Sequence, residues 1–571
     1  MTLMDPTVSH LHTYFLFPFA VDKEKVLADH PEPWINTRHW TDGLDRWIAA
    51  HDGGVVAKHL GKWERSAYTR FDMDSAAYQD MVFFHPFVRR IFFDTIGHQG
   101  AAHQESLLRC YRIPVSGARA EKEQATCPDT RVRLEAEDVR GRSAETVVTD
   151  LRLFLFANGI GILSIGVEAL NIPATDALWI NEMMRKVYPS SGRQRREARI
   201  PSRMALCVAG QTVLATTFEN FAMSAFLPPL SPLITGLLYF LRYDREEFEP
   251  VLDERMIVYS YAAIDPGSVP PGFVQTEDYQ IVLSRFLYVD RTGRDYRYEP
   301  EFTRAQMREH VYRRWAHQGT YYGFTSYSNI SMALGTFDCD DHLLREGFLI
   351  HRMFETRYYL MGIIALFYRA TLLDFAEKTA VVSKRFWRDQ EDGRLSRENI
   401  DAAVTLRADF LHFSNYWHFD ELANKDEEIE HFLLQCRAYR ISPMKTEIEA
   451  EVEKLNSFLT EFYQRRNTEA VNRLAVISMI LGGGAVLTGF FGMNFGKEFA
   501  SIFFEPTAGR ETPHYISIAA VAMLAFGSLL AAFWVLGVNW EDYREIFRSR
   551  EARARKRAGS DTGGDEGASV P

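Results

Sequence analysis

Paired cysteines are what this chain most plainly lacks. Cys110, Cys127, Cys207, Cys339 and Cys436 include no CxxC pair, and their odd number excludes a fully closed disulfide framework, which suits a reducing cytosol. A GxxxxGK[ST] phosphate loop is also missing, so nothing points to nucleotide-driven work. Basic residues are outnumbered, 65 Lys and Arg against 76 Asp and Glu for a net charge of -11, which argues against a nucleic-acid surface and is compatible with attracting cations. Met1 to His10 has neither the basic start nor the apolar run of an export signal, so the N-terminal part is expected to stay in the cytosol. Histidines such as His85 and His351 have no partner at a metal or triad spacing along the chain. They read as structural, and the protein reads as a non-enzyme with no cofactor.

What is present in quantity is apolar sequence near the C-terminus. Leu474 to Gly496 gives 23 uncharged residues and Tyr515 to Trp540 another 26, each long enough to cross a hydrocarbon core of about 30 Å. Arg544, Arg548, Arg550, Arg553, Arg555, Lys556 and Arg557 follow the second span, whereas only Lys497 and Arg510 lie between the two, so both termini are expected in the cytoplasm. Two other apolar runs imitate spans. Phe221 to Leu241 is interrupted by Pro228, Pro229 and Pro232 and reads as a buried loop and helix, while Tyr358 to Tyr368 is too short to span and reads as a buried helix.

The rest divides by its periodicity. Residues 1–340 mix strand and helix signals and predict an α+β domain. Strands are expected at Tyr14 to Phe17, Val132 to Ala136, Met256 to Tyr261 and Ile281 to Val289, with a two-residue hairpin turn at Asn158-Gly159 joining Leu151–Phe156 to Ile160–Val167. Helices are expected at Thr175 to Val187 and Arg304 to Trp315. Residues 341–442 read as long helices, Asp341 to Trp387 and Ser396 to about Arg440. From 443 to 496 a stalk helix with Met444, Ile448, Val452, Leu455, Leu459 and Phe462 in a stripe runs into the first span. Residues 497–514 are the inter-span loop, 515–540 the second span, and 541–571 a basic and then disordered tail.

One face of the long helix carries Thr460, Gln464, Asn467, Val471, Leu474, Ser478, Gly482, Ala485, Gly489 and Gly492. Its small residues serve either tight helix packing or the lining of a pore built by a ring of copies, with Val471 and Leu474 as an apolar girdle. Asn494, in Gly492-Met493-Asn494, ends that face with a neutral amide able to hydrogen-bond the water shell of a cation, which suits Mg²⁺ because that ion dehydrates reluctantly. A divalent ion entering at about -100 mV gains roughly 4.6 kcal/mol, so passive entry suffices.

Two C-terminal spans, a long stalk helix, Gly492-Met493-Asn494-Phe495 and a basic tail together resemble the CorA superfamily of divalent-cation channels. The match covers about residues 445–550, with Asp341 to Arg440 similar more loosely. The resemblance implies a homopentamer in the cytoplasmic (inner) membrane, a pore lined by the first span, an entrance formed by Gly492, Met493 and Asn494, and Mg²⁺, or sometimes Co²⁺, Ni²⁺ or Zn²⁺, as cargo. This chain departs from the family pattern with Phe491 before the tripeptide and Gly483-Gly484-Ala485 in mid-span. Regulatory carboxylates are implied too. The nearest cluster is Asp338, Asp340 and Asp341, for which a helix N-cap is the competing explanation, while Asp426, Glu427, Glu428 and Glu430 read as a solvated helix face. Two alternatives stand beside the magnesium channel: a zinc transporter of the same superfamily, proton-coupled or not, and a membrane-anchored oligomeric sensor or scaffold.

Overall fold

Thr7–Val21 is fifteen residues long and almost wholly buried, which requires neighbours on both sides and a covering layer on both faces. The computed structural model describes residues 4–29, 40–66, 82–92, 107–115, 131–188, 197–218, 228–252, 255–291, 298–335, 350–391 and 395–504, with six isolated positions between 519 and 534. Contacts divide the chain into two units, Met1–Leu455 and Asn456–Pro571.

The described strands of the first unit are β1 (Thr7–Val21), β2 (Glu64–Arg65), β3 (Leu108–Ile113), β4 (Val132–Glu137), β5 (Ser143–Phe156), β6 (Ile160–Pro173), β7 (Arg203–Val208), β8 (Gln211–Thr217), β9 (Phe248–Pro250), β10 (Ile257–Ile264), β11 (Val311–Tyr312), β12 (Tyr321–Phe324) and β13 (Ser328–Leu334). They form one sheet in the order β11-β12-β13-β10-β1-β6-β5-β4-β7-β8, with β3 on β5, β2 on β3 and β9 on β1. Only β10 and β13 run parallel among these pairs.

Alternation along β1 sends Leu11, Phe15, Phe17 and Phe19 into one core with the buried residues of the helices Ala174–Met184 and Glu277–Tyr288. Thr13 joins that face only because it is satisfied: its hydroxyl donates to Asn181 Oδ1 at 2.8 Å and lies 2.8 Å from Ser260 Oγ. His10, His12 and Tyr14 occupy the opposite face. There Tyr359, on the helix Arg357–Glu391, packs with its ring centroid 4.5 Å from that of Tyr14 and lies within hydrogen-bond distance of Ser164 Oγ on β6, donating to it at 2.6 Å. Gly166 lets Tyr14 lie flat across β6, since an added Cβ would come within 2.9 Å of that ring.

Several sequence expectations need correction. Ile281 to Val289 is not a strand but the end of the helix Glu277–Tyr288, started by a Thr276 cap whose hydroxyl accepts from Tyr279 N at 3.2 Å. Its β-branched and aromatic content misleads, because Tyr279, Val282, Leu283 and Phe286 bury one helical face. The hairpin loop is the three residues 157–159, with Gly159 at φ 97 and the Asn158 side chain accepting from Ile160 N. The helix expected at Arg304 to Trp315 is Pro300–Glu309, after which Val311 joins β11.

Likewise Ser396 to Arg440 is two helices, Arg397–His412 and Asp426–Ala438, separated by a π-helical turn and an extended stretch. That stretch finds tertiary partners for its backbone: Phe419 N donates to Tyr368 Oη, His85 N to Leu422 O and Asn424 N to Phe83 O. In the acidic run after it Asp426 and Glu430 are exposed, as a solvated face requires, but Glu428 is not. Glu428 is buried and accepts from Arg357 at 3.0 Å, while Glu427 accepts from Trp315 and Glu430 from Tyr312. The buried reading of Tyr358 to Tyr368 agrees with the structure. The helical stretch Ile350–Asp389 is long and apolar enough to span a membrane by length and composition, yet 78% of its apolar window is buried in protein, as in a core helix. Leu233, Ile234 and Leu237 of the Pro232–Leu237 helix are buried as well.

The helix Ile441–Phe504 passes from the first unit into the second. Pro443 fits its first turn, and the sequence holds no further proline until position 506. The helix runs eight residues past Gly496, where the sequence reading ended it. Ile448 and Val452 of the expected stripe are buried.

Two outcomes follow. Glu428→Ala strands the buried Arg357 guanidinium and lowers stability by about 3–5 kcal/mol, read as a shifted urea midpoint. His431 is caged by Tyr322, Phe324 and Tyr358, and burial pushes it down to about 3, from an ordinary value of about 6.5. Below about pH 6.5 the unfolded chain gains a proton that the folded chain refuses, so this histidine removes about 1.4 kcal/mol of stability per pH unit as pH falls toward 3. In His431→Phe that slope is shallower by about one proton's worth; unchanged slopes between pH 6 and 4.5 would refute the assignment.

Candidate functional site

His10 and His12 are two apart on β1 and so share a face, and the register puts Glu168 of β6 directly opposite His12. The helix Ile350–Glu355 lies over them and brings His351 to the same point. One ligand atom from each of these four residues falls within 4.8 Å of all the others, the one such group of three or more His, Cys, Asp and Glu found among the described residues.

Glu168 Oε1 is 3.2 Å from His10 Nε2, 3.5 Å from His12 Nδ1 and 4.0 Å from His351 Nε2. His12 Nδ1 and His351 Nε2 are 2.8 Å apart. A single proton between those two nitrogens makes one hydrogen bond, and with that proton gone both lone pairs face the same point. Around this core Thr149 Oγ1 lies 3.2 Å from His12 Nε2, and Glu355 lies 3.8 Å from both His351 Nδ1 and His12 Nδ1. Tyr261 contacts the rings of His10 and His351, and burial pushes its hydroxyl up to about 12, keeping it a neutral neighbour. The His12 side chain is 1% exposed, whereas His10, Glu168 and His351 are each about one-fifth exposed, so the cluster opens to solvent on one side.

His351 is therefore not lone: its partners, absent at any metal or triad spacing along the chain, are brought to it by the fold. Along the chain the available signals are His10-x-His12 in a strand and His351-xxx-Glu355 on a helix; Glu168 carries none. His85, by contrast, stacks on Phe87 and donates only its backbone N–H to Leu422 O in the described contacts, as a structural histidine would.

The sequence-predicted pore residues Val471, Leu474, Ser478, Gly482, Ala485 and Gly489 all lie on the helix Ile441–Phe504 and are exposed in the single chain. Gly492, Met493 and Asn494 lie within the same helix rather than in a turn at its end; no proline interrupts the chain between Pro443 and Pro506. Asp338, Asp340 and Asp341 lie outside the described residues, as do positions 541–571 and all but six residues of the second apolar segment. The metal-capable cluster and the proposed entrance therefore share no residue.

Comparison with protein-family models, with curated proteins and with solved structures returns no match for this chain. The similarity to the CorA superfamily accordingly rests on the residues quoted for it.

Proposed function

We propose that the protein is a divalent-cation channel of CorA type, carrying Mg²⁺ passively across the cytoplasmic membrane through a ring of identical subunits, five by that resemblance. The observation that carries this reading is one uninterrupted helix, Ile441–Phe504, that turns from a half-buried stalk into an apolar stretch ending in Gly492-Met493-Asn494. Val471 and Leu474 are 57% and 62% exposed, and Ala475, Leu481 and Ala485 are exposed as well. A helix apolar all round is stable only against lipid or other helices, so this stretch calls for a bilayer and for copies of itself. In that arrangement Asn494 hydrogen-bonds the hydrated ion, and Val471 and Leu474 form the narrow apolar girdle that gates by dewetting.

A second cargo is favoured by a specific observation. The first unit contains three imidazoles converging on one carboxylate, a donor set suited to Zn²⁺, Co²⁺ or Ni²⁺. A zinc-transporting relative is therefore the alternative reading.

Uptake into proteoliposomes, measured separately for Mg²⁺, Zn²⁺, Co²⁺ and Ni²⁺ under an inside-negative potential, tests both. Mg²⁺ flux is expected, and Asn494→Ala should reduce it at least about tenfold, equivalent to about 1.4 kcal/mol. If no divalent ion moves, or the variant conducts like the parent, the protein is not a channel of this kind.

A further inference from the structure

We propose that His10, His12, Glu168 and His351 form a tetrahedral Zn²⁺ site that fastens the helix Ile350–Glu355 to β1 and β6. In a tetrahedral zinc centre with bonds of about 2.0–2.1 Å to nitrogen and oxygen, neighbouring ligand atoms stand about 3.3 Å apart. Four of the six separations, 2.8, 3.2, 3.5 and 4.0 Å, bracket that value and all six fall within 4.8 Å, so closure needs shifts of about 1 Å.

The surroundings supply what such a centre needs beyond its ligands. With Nδ1 of His12 turned inward, its Nε2–H has Thr149 Oγ1 to donate to; with Nε2 of His351 turned inward, its Nδ1–H points to Glu355. Thr149, at hydrogen-bond distance, favours the tautomer that leaves the inward nitrogen of His12 with a free lone pair, and the Glu355 carboxylate places negative charge 3.8 Å from Nδ1 of His351. On metal entry the proton between His12 and His351 passes, by exchange with solvent, to the outer nitrogen of the ring that carried it, so both rings stay neutral and the pair loses no proton. The one-fifth exposure of three ligands provides a path for the ion.

The donor set selects the metal. Three neutral imidazoles and one carboxylate suit a borderline cation in tetrahedral geometry, whereas Mg²⁺ demands six oxygens in an octahedron and keeps its waters. The ordinary alternative is a polar cluster held together by hydrogen bonds alone. It would bind no ion and would not distinguish zinc from magnesium.

The site joins distant parts of the chain. Two ligands come from the central strand, one from its neighbour, and the fourth from a helix that is followed after Thr356 by the Arg357–Glu391 core helix. Occupancy thus ties the start of the helical region to the sheet. The site stands whether or not the C-terminal helix conducts ions.

The test uses the untagged full-length protein in detergent, stripped with chelator, loaded with Zn²⁺ alone and desalted. About one zinc per chain is expected to remain in the presence of excess Mg²⁺, and the melting temperature should rise with Zn²⁺ concentration. Loading with Co²⁺ instead should give the intense visible bands of tetrahedral coordination. His10→Gln and His351→Gln, both at partly exposed positions, should each weaken zinc binding by at least about 100-fold, beyond the loss typical of outer-partner changes. Failure to retain zinc, zinc retention unchanged in both folded variants, or displacement by Mg²⁺ overturns the proposal. If circular dichroism shows both variants misfolded, the parent's Co²⁺ spectrum decides: weak octahedral bands refute the site.

Discussion

A strand buried on both faces can carry polar side chains only where each finds a partner, and β1 is such a strand. Burying an unmatched hydroxyl or imidazole costs on the order of 1–3 kcal/mol, so the pattern Ser-His-Leu-His-Thr-Tyr obliges its neighbours to supply partners. On one face Asn181 and Ser260 answer Thr13. On the other, Glu168, Thr149 and His351 answer His10 and His12. Those answers come from β5, β6, β10 and two helices on opposite sides of the sheet, so the polar residues of one strand specify the register and docking of much of the first unit.

The same demand recurs among the helices. Arg357 opens the Arg357–Glu391 helix, sits over the ring of Phe83 at 3.9 Å and meets Glu428 of the Asp426–Ala438 helix. A buried ion pair of this kind contributes little net stability over apolar residues, yet losing one partner is expensive. Its value is therefore positional: it penalises any arrangement in which the two helices are out of register. The backbone of 418–425 is captured nearby by Tyr368 and residues 83–85, which is why a helix that the composition favours breaks there.

Local pattern made much of this legible. Val132 to Ala136 alternates and is a strand; Thr175 to Val187 has helical spacing and overlaps the helix Ala174–Met184. The stalk stripe and the absence of proline between 444 and 505 gave a long helix, although its end lies at Phe504 and not Gly496. What failed were segments decided at a distance. Ile281 to Val289 has strand-like composition, but its N-cap and burial are helical. The histidine cluster was hidden for the same reason: its members are separated by about 160 and 180 residues, and only strand pairing and helix docking bring them together. The odd count of scattered cysteines made a disulfide scaffold implausible, while the local signals His10-x-His12 and His351-xxx-Glu355 do not show that the two pairs meet or that Glu168 joins them.

The two proposals assign two modes of metal handling to one chain, and hydration separates them. An amide such as Asn494 acts on an ion through its water shell, so it favours a cation that holds its water tightly and moves on without being captured. Three imidazoles and a carboxylate do the reverse, since their bonds form only when the waters leave, and the ion that yields its waters to nitrogen is then retained. Mg²⁺ would pass the first and ignore the second, whereas Zn²⁺ would be held by the second even at concentrations far too low to matter for flux. Were the first unit to bind zinc as proposed, it would report on a metal different from the one proposed to pass through the membrane, without either ion competing for the other's place.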